Sequence, residues 1–247
     1  MELTGQAALV TGAGRGIGAA IAQELALAGC DVALVDVAIS GEMAQVAAAI
    51  RTAGRRALVL QADVTSVAAA EESVGAAVRE FGRLDILVCN AGITRDAVIW
   101  KMTEEAWDSV LDVNLKGCFT YCRAAAPVFR GQRRGRIVTI ASINGLRGKV
   151  GQSNYAASKA GVVALTKSLA RELGASGVTV NCVAPGFIRT AMTTRLPATV
   201  VEGAVAETAL GRLGEPVDVA RLVAFLCSEG ARHITGEVIR VDGGQYI

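Results

Sequence analysis

Short aliphatic runs alternate with longer helical patterns along the whole chain, and that alternation restricts the fold more than any other feature. Ala7 to Val10, Val32 to Val35, Ala57 to Leu60, Ile86 to Cys89, Ile137 to Ala141, Val178 to Val183 and Val238 to Val241 are nearly unbroken apolar runs. Strands of this kind are covered on both faces, which is the environment of a parallel sheet. Between them come helical stretches: Ile17, Ile21 and Leu25 at helical spacing, Gly41 to Ala53, Val67 to Phe81 closed by Gly82, Thr103 to Asp112, Leu115 to Arg130, Ser153 to about Ala175, and Val217 to Ser228. The expectation is an α/β fold: one doubly wound parallel sheet of seven strands with helices on both faces, forming a single domain over 1–247 with a substrate loop at about 188–211.

Composition agrees. Hydrophobic residues make up 52% and aromatics only 4%, with 28 Gly, the profile of aliphatic strands and close helix packing. With 25 Lys plus Arg against 23 Asp plus Glu, the net charge of +2 argues against nucleic acid as a partner. Arg130, Arg133, Arg134 and Arg136 form the one basic cluster and read as a solvated helix end and turn. The six Cys lack a Cys-x-x-Cys pair and fall mostly inside apolar runs, so they read as small buried hydrophobes in a reducing compartment. His233 is the only histidine, which disfavours a His triad and a His-rich metal site; no metal is expected. No stretch reads as a membrane span, and the expected location is the cytoplasm.

Ligands of doubly wound sheets bind outside the C-terminal ends of the strands. Gly12, Asp36, Asp63, Asn90, Ser142 and Pro185 all fall at such ends. After the first strand comes Thr11-Gly-Ala-Gly-Arg-Gly-Ile-Gly18, a Gly-rich turn opening a helix. Such a turn lets backbone approach a pyrophosphate, and the helix start offers unpaired amides. Asp36 lies about twenty residues beyond Gly16, where a ribose-binding carboxylate belongs. Its charge would repel a 2′-phosphate, so NAD is expected ahead of NADP, although Arg15 could pair with that phosphate. A strand-end turn for Asp36 and a helix N-cap for Asp63 are the plain alternatives.

The candidate chemistry lies in Ser142 to Lys159. Tyr155 and Lys159 are four apart and share a helix face, where the ammonium would lower the pKa of the phenol. Ser142, thirteen residues before Tyr155, could hold the substrate oxygen that Tyr155 protonates. Ile143 to Gln152 should form a pocket wall, with Arg147 and Lys149 available to an anionic group.

Thr11-Gly-x-x-x-Gly16-x-Gly18, Asn90-Ala91-Gly92, Asn114, Ser142, Tyr155-x-x-x-Lys159 and Pro185-Gly186 with Thr190 together resemble the short-chain dehydrogenase/reductase family, in order and spacing over the whole chain. The resemblance implies a Rossmann-type oxidoreductase in which Tyr155 is the acid or base, Lys159 tunes it and bonds the nicotinamide ribose, Ser142 holds the oxygen, and Asn114 positions a relay water. Without the family, Asn114 could equally bond a helix backbone at a kink. Gly12, Arg15, Gly16, Ile17, Gly18, Asp36, Asp63, Val64, Asn90, Ala91, Gly92, Pro185, Gly186, Ile188 and Thr190, with Tyr155 and Lys159, would contact the dinucleotide. Asn90 to Asp96, Gly151 to Tyr155, Ser168 to Glu172 and Gly236 to Gly244 resemble bacterial 3-oxoacyl-thioester reductases, whose acyl-carrier-protein forms tend to use NADPH and carry a basic residue where this chain has Ala125-Ala126-Pro127. The substrate reading is therefore a 3-oxoacyl thioester or related ketone; the alternatives are a catabolic secondary or cyclic alcohol, and a non-catalytic NAD-binding sensor. A homotetramer is implied by the same resemblance.

Overall fold

In a computed structural model, residues 2–190, 193 and 197–247 are described. Ala191, Met192, Thr194, Arg195 and Leu196, which belong to the expected substrate loop, lie outside the described residues. The chain runs β1 (Ala7–Thr11), α1 (Gly16–Leu27), β2 (Asp31–Asp36), α2 (Gly41–Thr52), β3 (Ala57–Gln61), α3 (Val67–Phe81), β4 (Ile86–Cys89), α4 (Glu104–Leu111), α5 (Gly117–Gln132), β5 (Gly135–Ile140), α6 (Asn144–Arg147), α7 (Ser153–Leu173), β6 (Val178–Pro185), α8 (Ala198–Ala206), α9 (Pro216–Cys227) and β7 (Val238–Val241). The seven strands form one sheet in the order β3-β2-β1-β4-β5-β6-β7, every pair parallel. Strand order reverses between β1 and β4, and a crevice opens there at the C-terminal strand ends.

The aliphatic runs are buried on both faces as their composition requires. One half of the core holds Val10, Ile21, Leu25, Leu34 and Val223; the other holds Leu9, Leu87, Tyr121, Phe129 and Ile137. Burying a leucine such as Leu9, Leu34 or Leu87 completely contributes about 2 kcal/mol. Three helices start at side-chain caps: Ser40 accepts from Met43, Ser66 from Ala69 and Thr103 from Ala106. Helix α1 has no side-chain cap and no acid in its first turn. Its leading amides stay open.

Two expectations need correction. Arg136 does not join a solvated turn: it sits on β5, is buried, and reaches Glu229 at 3.6 Å. Arg130, Arg133 and Arg134 remain exposed, and strand pairing carries residue 136 alone into the sheet. The helical stretches before and after residue 113 are not separate either. A π-helical turn at Asp112–Lys116 joins α4 to α5, and the wider turn changes the direction in which Asn114 points.

A buried carboxylate fastens the opposite edge of the sheet. Asp85 is 1% exposed, accepts the amide of Ala7 at 2.9 Å and pairs with Arg83 through both oxygens at 2.6 and 2.7 Å. Replacing it leaves a buried N–H without a partner while Arg83 can still turn to water. Asp85→Ala is expected to lower the unfolding free energy by about 2 kcal/mol in urea titration.

Candidate active site

The nucleotide end is built from backbone, with side chains holding it in shape. Gly12 (φ +63°) and Gly16 (φ +58°) occupy the left-handed region in the turn between β1 and α1. A Cβ on Gly18 would come within 2.1 Å of the Gly12 carbonyl oxygen and 2.4 Å of Asn90 Nδ2, so this helix start can pack only as glycine. Asn90 is the clamp. Its Nδ2 donates to the carbonyls of Thr11 at 3.0 Å and Gly12 at 3.1 Å, while the Thr11 hydroxyl accepts the amides of Asn90 and Ala91. The ends of β1 and β4 are thereby locked together at the switch point.

Asp36 stands at the end of β2, accepting the Gly14 amide at 3.0 Å and the Val37 amide at 2.8 Å. Those bonds fix the carboxylate beside the Gly turn and leave lone pairs for further donors. Asp63 is exposed and closes a turn by accepting the Thr65 amide at 2.9 Å. It is not the cap of α3, since Ser66 takes that role. Val64 turns its side chain against Gly117. Arg15 is exposed at the head of α1, Ile17 and Gly92 flank the crevice, and Pro185, Gly186 and buried Ile188 lead from β6 toward Thr190.

Ser142, Tyr155, Lys159 and Asn114 come together at the mouth of β5. Lys159 is buried and donates to the carbonyl of Ile140, the last residue of β5, at 2.7 Å. That bond fastens α7 to the strand whose extension presents Ser142. Gly145 permits the approach, because a Cβ there would meet Lys159 Cβ at 2.8 Å. Tyr155, one turn earlier on α7, is half-buried, with the Ser142 hydroxyl beside its phenol. The Lys159 ammonium lies 5.7 Å from the centroid of the Tyr155 ring. Asn114 and Lys159 both lie against Gly92, 3.2 and 3.4 Å from where a Cβ would stand.

Asn114 is bonded, but not to its own helix. Its Oδ1 accepts the Ile93 amide at 2.8 Å, and its Nδ2 donates to the Ile93 carbonyl at 3.1 Å and to Ser158 Oγ at 3.0 Å. The π-helical turn therefore staples the segment after Asn90-Ala91-Gly92 to α7.

Electrostatics depart from the sequence expectation at one point. Burial raises the Tyr155 phenol above its ordinary value, the Ser142 hydrogen bond pulls it down and the charge of Asp96 pushes it up. Lys159 is itself penalised by burial, which takes its ammonium down to about 8 from 10.5. Arg147 borders the cavity beside the site and is also paired. It pairs with Glu207 at 2.9 Å, and Gln245 Nε2 donates to the same carboxylate at 3.0 Å, which joins α6, α8 and the C-terminal tail. Lys149 keeps its charge available, 6.0 Å from the Phe187 ring centroid. Ser142, Asn144, Lys149, Phe187, Val200 and Gln245 border a cavity of about 460 Å³ beside the site.

Comparison with known proteins agrees with this arrangement. A family model described as enoyl-(acyl carrier protein) reductase matches residues 12–245. Two curated relatives are 3-oxoacyl-[acyl-carrier-protein] reductases: that of Staphylococcus aureus is 46% identical over 248 residues, and that of Escherichia coli is 44% identical over 247, each match covering 100% of both chains. A solved structure described as a short-chain alcohol dehydrogenase of Sinorhizobium meliloti superposes with a TM-score of 0.95 at 38% identity, covering 99% of this chain and 97% of that one. The chain belongs to the short-chain dehydrogenase/reductase family.

Short-chain dehydrogenases/reductases bind a nicotinamide dinucleotide, and the residues present fit one. Open amides head α1, glycines leave room above the turn, and a pinned carboxylate stands at the end of β2. Among the described residues, no helix is long and apolar enough to cross a membrane.

Several supporting residues escaped the sequence reading. Asn154 is fully buried and donates to the carbonyls of Arg95 and Ala106, Gln152 bridges Asp96 and Asn144, and Ser158 joins Asn114 to α7. Their one signal is a run of small polar residues on a helix that otherwise packs against the sheet. Glu207 and Gln245 carry no sequence signal, since their bonds span 60 and 38 residues.

The buried Lys159 has a measurable signature. The unfolded chain holds its proton more tightly, so the penalty is full below pH about 8 and fades toward 10.5. In urea unfolding, the wild type is expected to gain stability relative to Lys159→Met as the pH rises through that window, by about 3 kcal/mol at most. A difference independent of pH would mean that packing, not charge, governs this position.

Proposed function

We propose that this enzyme interconverts a 3-oxoacyl thioester and its 3-hydroxy form, with NAD(H) as the hydride carrier. The observation that carries the reading is the meeting of Ser142, Tyr155 and Lys159 at the end of β5, beside both the nucleotide crevice and a cavity of about 460 Å³. The relatives named as 3-oxoacyl-[acyl-carrier-protein] reductases support the substrate class.

In this proposal the bound dinucleotide supplies or accepts the hydride. Gly12, Arg15, Gly16, Ile17 and Gly18 hold its pyrophosphate, Asp36 its adenosine ribose, and Asp63 and Val64 border the adenine. Asn90, Ala91 and Gly92 line the crevice, and Pro185, Gly186, Ile188 and Thr190 approach the carboxamide. Ser142 and Tyr155 donate to the carbonyl oxygen as negative charge grows there. The phenol then gives up its proton. Lys159, fixed on Ile140, holds positive charge near the phenolate that results, and Asn114, bonded to Ile93 and Ser158, positions a relay water reaching Lys159. Arg147 shapes the pocket through Glu207, which leaves Lys149 to meet an anionic group of the substrate.

Tyr155→Phe is expected to lower reduction of acetoacetyl-CoA by roughly 10²-fold to 10⁴-fold while leaving NADH affinity within a few-fold. Turnover at the wild-type level would overturn the role given to Tyr155.

The choice of NAD rests on Asp36, whose carboxylate is held in place by two backbone amides and, in this proposal, meets the adenosine ribose, where its charge would repel a 2′-phosphate. Catalytic efficiency with NADH is expected to exceed that with NADPH by at least about tenfold, and Asp36→Ala to erase most of the difference. A preference for NADPH in the wild type would defeat this assignment.

A further inference from the structure

Three cysteines with no part in the proposed reaction meet in the core behind the site. Cys89 ends β4 one residue before Asn90, and Cys118 and Cys122 lie one turn apart on α5. All three are buried free thiols, and their sulfurs lie within 4.8 Å of one another, with Cys89 Sγ 3.8 Å from Cys122 Sγ. They sit in the half of the core that includes Val64, Leu87, Ala125 and Ile137, whose side chains are hydrocarbon.

The spacing has a chemical meaning. An ion at the centre of three thiolates, with metal–sulfur bonds of about 2.3 Å, sets the sulfurs about 4.0 Å apart. One pair of sulfurs already stands at 3.8 Å and all three within 4.8 Å of one another, contributed by two different elements, β4 and α5. Thiolates select soft cations, whereas the hard ions Mg²⁺ and Ca²⁺ require oxygen. The buried Lys159 ammonium feels the charge of Cys118, Cys182 and Cys89, so a complex with net negative charge has a countercharge inside the core.

We propose that Cys89, Cys118 and Cys122 form a three-coordinate site for a soft, thiophilic monovalent cation, Cu(I). Each thiol releases its proton to solvent as its sulfur bonds the ion, three S–Cu bonds form, and no oxidation state changes. This site is independent of the hydride-transfer reading.

The test is an anaerobic titration of the intact chain with Cu(I) presented as its bicinchoninate complex. One equivalent per chain should pass from chelator to protein, and X-ray absorption should show sulfur neighbours at about 2.3 Å. Cys122→Ala should weaken the transfer at least tenfold, whereas Cys30→Ala, a buried cysteine in the other half of the core, should leave it unchanged. No transfer from the chelator, transfer indifferent to Cys122→Ala, or nitrogen and oxygen neighbours around the copper would each overturn the proposal. If Cys122→Ala does not fold, the absorption spectrum of the wild-type complex decides the matter.

Discussion

The ammonium of Lys159 reaches the carbonyl that ends β5, and much of the site hangs on that contact. An ammonium 4% exposed carries a large desolvation cost, which a single well-placed acceptor offsets in part. The bond sets the distance between α7 and the sheet edge. It thereby sets where Tyr155 stands relative to Ser142, because one residue rides on the helix and the other on the extension of the strand. Gly145 is the steric counterpart, since any side chain there would force the helix away.

A second set of bonds supports the first from the other side of the crevice. Asn90 closes the ends of β1 and β4 around the Gly turn, and Asn114 ties the following segment to Ser158 on α7. Both asparagines use amide groups to satisfy backbone atoms that the sheet leaves unpaired at its ends. The crevice at the Gly turn and the cluster of Ser142, Tyr155 and Lys159 are thus joined through a continuous set of hydrogen bonds.

Most of the fold was legible in the sequence because it depends on patterns repeated many times. Seven aliphatic runs and the helical periods between them each report the same two-sided burial, so an error in one boundary leaves the topology untouched. The candidate site was legible in its residue types for a related reason: every strand end carries a small or polar residue at the edge where ligands bind. The polar network was not legible. Arg147 with Glu207 and Gln245, or Gln152 with Asp96 and Asn144, are partners brought together by folding, and no local period announces them.

The sequence by itself determined the sheet, the nucleotide turn, and the identity and helical spacing of Tyr155 and Lys159, because these follow from periodicity and from the conformations that glycine alone permits. Tertiary structure alone decided the charge balance of the site. Whether an ammonium lowers the pKa of a neighbouring phenol depends on how deeply each is buried and on which third group each one meets. Here burial raises Tyr155, lowers Lys159 to about 8 and turns its ammonium to Ile140, and none of that is encoded in a spacing of four residues.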